Sequence, residues 1–219
     1  MVRGVVFFDV DGTLVPGTSS GQYLAGSLGH APVVREAEAA YAAGALSNRE
    51  VSVLDAEGWA GHEPAEVIGL LGSMPLVGGI AETVGWCRRN DLVPVLATLA
   101  WDVVGAFLCR RFGFDRACGP RLEVSDGRYT GRVAEHFDEL GKRDFAVAVA
   151  GELGVPLSRC VAIGDSRSDL PLFAEVGLAV AVNATPEASA AAHVRADGDD
   201  LRAVLPLMAA WLPPTARQP

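Results

Sequence analysis

Four short runs of apolar, β-branched and aromatic residues constrain this chain most: "GVVFFDV" at 4–10, "LVPVLAT" at 92–98, "RCVAIGD" at 159–165 and "LAVAV" at 178–182. Each is too short for a helix and suits a strand buried on both faces. Stretches of helical period separate them. Strands alternating with helices build βαβ units, so the expected class is α/β, a Rossmann-like parallel sheet with helices on both faces. Ligands of such sheets sit beyond the C-terminal ends of the strands.

The spacing between the first two runs is unusual. Residues 16–75 read as helix only, in the segments "GQYLAGSL", "APVVREAEAAYAAG", "SNREVSVLDAEGW" and "PAEVIGLLG". Ser47 followed three residues later by Glu50 is a capping-box signature that starts the third of these. The expectation is a small all-helical cap, 16–75, inserted after the first strand into an α/β core of 1–15 and 76–212. Pro94 cannot donate to a ladder, which favours an edge position for the second strand. "RLEVSDGRYTGRV" carries a D-G turn between alternating segments and reads as a hairpin. Two helices should follow "LAVAV", and "PPTARQP" at 213–219 reads as a frayed tail.

Composition narrows the class. Half of the 219 residues are apolar, enough for a sizeable core. A net charge of −9 argues against nucleic acid or an anionic membrane as partner. The opening apolar stretch is short and runs straight into acids, unlike a secretory signal. No run of about 18 apolar residues offers a membrane span. Cys87, Cys109, Cys118 and Cys160 form no CxxC motif, have no histidine pair nearby and read as reduced, mostly buried thiols of a cytoplasmic protein.

The ends of the strands carry the chemistry. Asp9 and Asp11 end the first run, and a D-G turn accounts only for Asp11 and Gly12. Asp9 still belongs to the apolar run, where an unpaired carboxylate costs several kcal/mol, roughly, unless a metal or cation compensates. Thr98 ends the second run, Asp165 the third, and Asp169 follows four residues later. Of 18 lysines and arginines only Lys142 is a lysine, and it opens the helix before the third run. One rim therefore receives carboxylates, a hydroxyl and an ammonium. Clustered carboxylates call for a hard cation such as Mg²⁺, which keeps waters for a substrate phosphate. The hydroxyl and ammonium suit the oxygens of a phosphoryl group. Asp9 could attack phosphorus to form an aspartyl-phosphate, and Asp11, on the same side of an extended segment, could protonate the leaving oxygen and later activate water.

"DVDGT", Thr98 after its apolar strand, the lone "GK" lysine and "GDSRSD" together resemble the four motifs of the haloacid dehalogenase superfamily of phosphohydrolases, in order, over residues 4–205. The nearer resemblance is to its phosphoserine phosphatase-like branch, which carries a helical cap between the first and second motifs and a similar hairpin. The resemblance implies Asp9 as nucleophile and Asp11 as general acid/base, with Thr98 and Lys142 on the phosphoryl group. It implies Mg²⁺ held by the Asp9 carboxylate, the Asp11 backbone carbonyl and Asp165, with Asp169 supporting the metal waters and orienting Lys142. The substrate would be a small-molecule phosphate ester.

The resemblance fails where the substrate would be recognised. Branch members hold serine's ammonium with a glutamate after the first motif and its carboxylate with a cap arginine. By ungapped counting Thr18 and Asp55 stand there, and Leu99 replaces the glycine after the second-motif hydroxyl. Thr18, Asp55, Leu99 and Ser168 are the candidate substrate contacts. An aspartate cannot pair with a carboxylate, which disfavours phosphoserine. Asp55 suits an amine or sugar hydroxyls, or else lies on a solvated helix face. His30, His62, His136 and His193 share no spacing and read as structural or exposed. Phosphotransfer to another alcohol stays open. A phospho-accepting receiver-like module has a similar residue set but no insert like 16–75, and a DxD glycosyltransferase would leave Thr98 and Lys142 unexplained.

Overall fold

The apolar runs form one parallel sheet in a computed structural model that describes residues 2–212. β1 (Gly4–Phe8), β2 (Leu92–Leu96), β5 (Cys160–Gly164), β6 (Leu178–Val182) and β7 (Val194–Ala196) lie in the order β2-β1-β5-β6-β7. Every neighbouring pair is parallel. The chain leaves β1 toward β2 on one side and returns to β5 on the other, so the topological switch falls at β1 and β5.

β1 shows why the run reads as continuously apolar. Val5 and Phe7 pack with Ala146, Val149 and Leu172 on one face, while Val6 and Phe8 pack with Val84, Val104 and Leu108 on the other. Helices cover both faces: α7 (Glu139–Glu152) and the one-turn α8 (Leu170–Phe173) on the first, α5 (Ile80–Arg89) and α6 (Asp102–Phe112) on the second. The alternation carries on into Asp9, whose parity turns it toward α7.

β2 is the edge strand that Pro94 favours. The Pro94 carbonyl faces outward and accepts from the Asp115 N–H at 2.8 Å, so the missing N–H costs the β1 ladder nothing. Three of the four free cysteines, Cys87, Cys118 and Cys160, are buried.

Residues between β1 and α5 form α1 (Ser20–Leu28), α2 (Ala31–Ala42), α3 (Asn48–Glu57) and α4 (Pro64–Leu71). Ser47 closes the capping box with Glu50 at the start of α3. The hairpin of β3 (Arg121–Ser125) and β4 (Arg128–Glu135) turns at Asp126 and Gly127, both at positive φ, the conformation an inward-twisting two-residue turn requires. It docks on these helices through the Gly61 N–H to the Tyr129 carbonyl and the Tyr129 N–H to the His62 carbonyl. Tyr129 stacks edge-on against Trp59.

The C-terminal end departs from the expected pair of helices. α9 (Pro186–Ala191) and α10 (Leu205–Trp211) are present, but β7 stands between them. Its three residues carry too little pattern to be read as a strand. Tertiary pairing makes them one, with Asn183 at positive φ clamping Gly198 through two side-chain bonds. The segment 213–219 lies outside the described residues. No helix among the described residues is long and apolar enough to cross a membrane.

Candidate active site

The sheet brings the expected acids together by its own hydrogen bonds. The Asp9 N–H donates to the Ile163 carbonyl at 2.9 Å, and the Ala97 N–H donates to the Phe8 carbonyl at 2.9 Å. The chain after β1 is thus fixed between the ends of β5 and β2, with Asp165 and Thr98 beside it.

Lys142 is wholly buried in the first turn of α7. A cation there opposes the helix dipole, so its position depends on its partners. Its Nζ lies 2.6 Å from Asp169 Oδ1 and 3.1 Å from Asp9 Oδ1. Burial alone would pull the ammonium down, but Asp169 and Asp9 carry it above the usual lysine range. The other oxygen of Asp169 accepts from the N–H groups of Asp165 and Ser166. Asp169 therefore ties α7 to the turn after β5. Ser168 sits beside Lys142, its Oγ at 3.5 Å from Nζ.

Two glycines make the approach possible. A Cβ on Gly12 would stand 2.1 Å from Asp165 Oδ2, and one on Gly164 would stand 2.1 Å from Asp169 Cγ. Gly12 also adopts φ +81, a conformation other residues rarely take.

One oxygen each from Asp9, Asp165 and Asp169 lies within 4.8 Å of the others. Burial pushes Asp9 up to about 7 even with Lys142 beside it, and burial with the charges of Asp9 and Asp169 pushes Asp165 up to about 8. Hard carboxylate oxygens that repel one another at this range fit a divalent cation. Both Asp169 oxygens are engaged, which leaves Asp9 and Asp165 as the carboxylates able to hold one. The Asp11 side chain stands apart from this cluster. Its Oδ1 accepts from the Ser20 N–H at 2.6 Å, at the N-terminus of α1, and burial raises it to about 6 against the pull of that bond. Thr98 is buried, its Oγ1 accepting from the Ala100 N–H at 3.1 Å. Its own O–H remains free to donate.

Asp9, Asp11, Thr98 and Asp165 line one cavity of about 610 Å³ between α1–α3 and the C-terminal end of the sheet. Thr18, Leu99, Ser168 and Asp55 line it too. Asp55 is no solvated helix residue: it is 5% exposed. His30 Nε2 lies 2.7 Å from its Oδ1, Trp59 Nε1 donates to the same oxygen at 2.9 Å, and Trp101 Nε1 donates to Oδ2 at 2.7 Å. Trp101 belongs to the turn after Thr98, so this carboxylate joins α3 to the C-terminal end of β2. His30 is seated against Gly58, where a Cβ would stand 2.1 Å from the ring.

The sequence reading passed over several residues of the cavity, Glu38 and Arg167 among them. Glu38 lines it from α2, and the signal was available: Val34, Ala37, Glu38 and Tyr41 share one helical face at i, i+3, i+4 and i+7, with an acid in the stripe. Arg167, inside "GDSRSD", donates to the Tyr41 carbonyl at 2.7 Å, stacks over the Tyr41 ring and pairs with Glu139 at 3.6 Å.

The sequence model of the family described as haloacid dehalogenase-like hydrolase matches residues 6–174. The chain belongs to the haloacid dehalogenase-like hydrolases. Among this family, it is 43% identical over 102 residues to a phosphoserine phosphatase of Streptomyces coelicolor, covering 46% of this chain and 25% of the relative. It is 30% identical over 128 residues to a phosphoserine phosphatase of Methanocaldococcus jannaschii, covering 58% and 61%. The matched stretches thus span less than two thirds of either relative. A solved phospho-aspartyl intermediate analogue of phosphoserine phosphatase superposes with a TM-score of 0.85 at 24% identity, covering 94% of this chain and 99% of that one. That likeness shows the same fold over nearly the whole chain.

Proposed function

We propose that this haloacid dehalogenase-like chain is a Mg²⁺-dependent phosphatase that hydrolyses a small-molecule phosphate monoester through an aspartyl-phosphate on Asp9. The observation that carries this reading is the wholly buried Lys142, held between Asp9 and Asp169. Asp9 Oδ2 has no partner among the described residues, so attack through it breaks no hydrogen bond. Thr98 and Lys142 bind the transferring phosphoryl oxygens. Asp11, held by the Ser20 N–H, gives its proton to the leaving oxygen and then takes one from the attacking water. Asp9, Asp165 and the Asp11 backbone carbonyl would hold Mg²⁺, which when bound supplies charge neutralisation at the phosphoryl oxygens. Asp169 positions Lys142 rather than touching substrate.

Residues 16–75 act as the cap over a core of 1–15 and 76–212, and unpaired thiols favour the cytoplasm as its setting. Phosphoserine is not the preferred substrate. The support is Asp55: by ungapped counting a carboxylate stands where branch members place an arginine, and it lines the cavity. Phosphate release from a panel of metabolite monophosphates, with Mg²⁺ and after exhaustive chelation, tests the reading. Release should require the metal and return when it is restored. Full activity after chelation would overturn the metal assignment.

A further inference from the structure

A carboxylate that hydrolysis does not use faces the same cavity. Glu38 is held by Ser19 Oγ at 2.6 Å on Oε1 and by Gln22 Nε2 at 2.5 Å on Oε2. No cation pairs with it among the described residues: Lys142 is committed to Asp9 and Asp169, and Arg167 is turned to Tyr41 and Glu139. Burial raises the Glu38 carboxyl above its usual range, the mark of an uncompensated charge taken from water.

The space in front of it is built from acceptors. Gly21 leaves a gap at which a Cβ would stand 3.2 Å from Glu38 Oε1, 3.6 Å from Ser19 Oγ and 3.7 Å from Asp55 Oδ2. Next to it Ser20, 1% exposed, lines the cavity, its hydroxyl beside Asp11. Two carboxylate oxygens and a committed hydroxyl converge here, and no lysine or arginine among the described residues answers them. A ligand bearing several N–H donors and a positive charge does. Val34, Tyr41, Val51 and Leu99 add apolar wall to the cavity, with room for a carbon chain between this point and Asp9.

We propose that Glu38 is a specificity-determining residue that binds an ammonium group on the leaving alcohol, so that the substrate class is an aminoalkyl-type phosphate monoester without a carboxylate. This rests on the phosphatase reading above. Glu38 and Asp55 attract the ammonium together and repel a substrate carboxylate, which a cavity of this sign discriminates by charge.

The test compares ω-aminoalkyl phosphates, from ethanolamine phosphate to 6-aminohexyl phosphate, with n-alkyl phosphates of equal length. It reads kcat/KM in the wild type and calorimetric affinity in Asp9→Asn, each with Mg²⁺. At least one chain length should favour the amine by about tenfold or more, the gain of one charge-assisted contact in a partly dry site. Glu38→Gln should bring that ratio below about threefold. Glu38→Lys should invert it toward the matching ω-carboxyalkyl phosphate, which a purely structural role for Glu38 cannot produce. No amine preference at any length, or a preference that survives Glu38→Gln, would overturn the inference while leaving the phosphatase reading intact. Failure of every phosphate ester to bind or turn over would sink both.

Discussion

Replacing Asp55 should cost this protein stability rather than merely retune its cavity. The carboxylate accepts three N–H groups, from His30, Trp59 and Trp101. Trp59 is 0% exposed and Trp101 4% exposed, so Asp55→Ala leaves two buried indole N–H groups without partners. An orphaned buried donor costs about 1–3 kcal/mol. Water from the cavity that Asp55 lines can reach part of the vacated space, which favours the lower half of the range. The expected loss is about 3 kcal/mol for the two indoles together. In a chain of this size that is a fall of about 6–12 °C in Tm. Asp55→Asn keeps one acceptor oxygen but points an amide N–H₂ at the other donors, so it should fall between wild type and Asp55→Ala. Thermal unfolding followed by circular dichroism measures the series. An Asp55→Ala Tm within about 1 °C of wild type would refute the reasoning, since it would mean the three bonds hold nothing together.

Lys142→Arg keeps the charge but places a wider, planar group between Asp9 and Asp169, where Nζ lies 3.1 and 2.6 Å from their oxygens. Its kcat/KM should fall at least about tenfold, and unchanged kinetics would mean the single lysine is not needed as lysine. Gly58→Ala should destabilise by about 1–3 kcal/mol, because the new methyl would overlap the His30 ring and push it off Asp55. Chemical denaturation measures that change, and an unaltered midpoint would show that the ring has room to move.

Much of the sheet was legible because its signals are local. β1 declares itself by four buried apolar residues, the β3–β4 turn by Asp126-Gly127, and the start of α3 by Ser47 and Glu50. Asp9, Thr98 and Asp165 were legible for a related reason: each stands at the end of an apolar run, and the parallel sheet gathers such ends on one side. What escaped depends on contacts between distant segments. β7 is a strand only because Val180, Ala181 and Val182 pair with it. The expected helix after Asp165 shrinks to a 3-10 turn, Arg167–Asp169, and one turn of α8. Asp169 closes that turn by taking the N–H groups of Asp165 and Ser166. Asp55 could be read as pocket or surface, since nothing in the sequence says that indoles 4 and 46 residues away aim their N–H groups at it. Glu38 was hidden by charge: an acid in a helical stripe looks like an interruption of the stripe rather than part of the cavity it faces.

The central claim is that Asp9 carries the phosphoryl group, and Asp9→Asn tests it most directly. The side chain keeps its size and its place between β5 and Lys142 but loses the nucleophilic carboxylate. Phosphate release from the best monophosphate of the panel, measured with Mg²⁺ at a temperature where both proteins are folded, should fall on the order of 10³-fold or more. Release at a rate near that of the wild type would contradict the account.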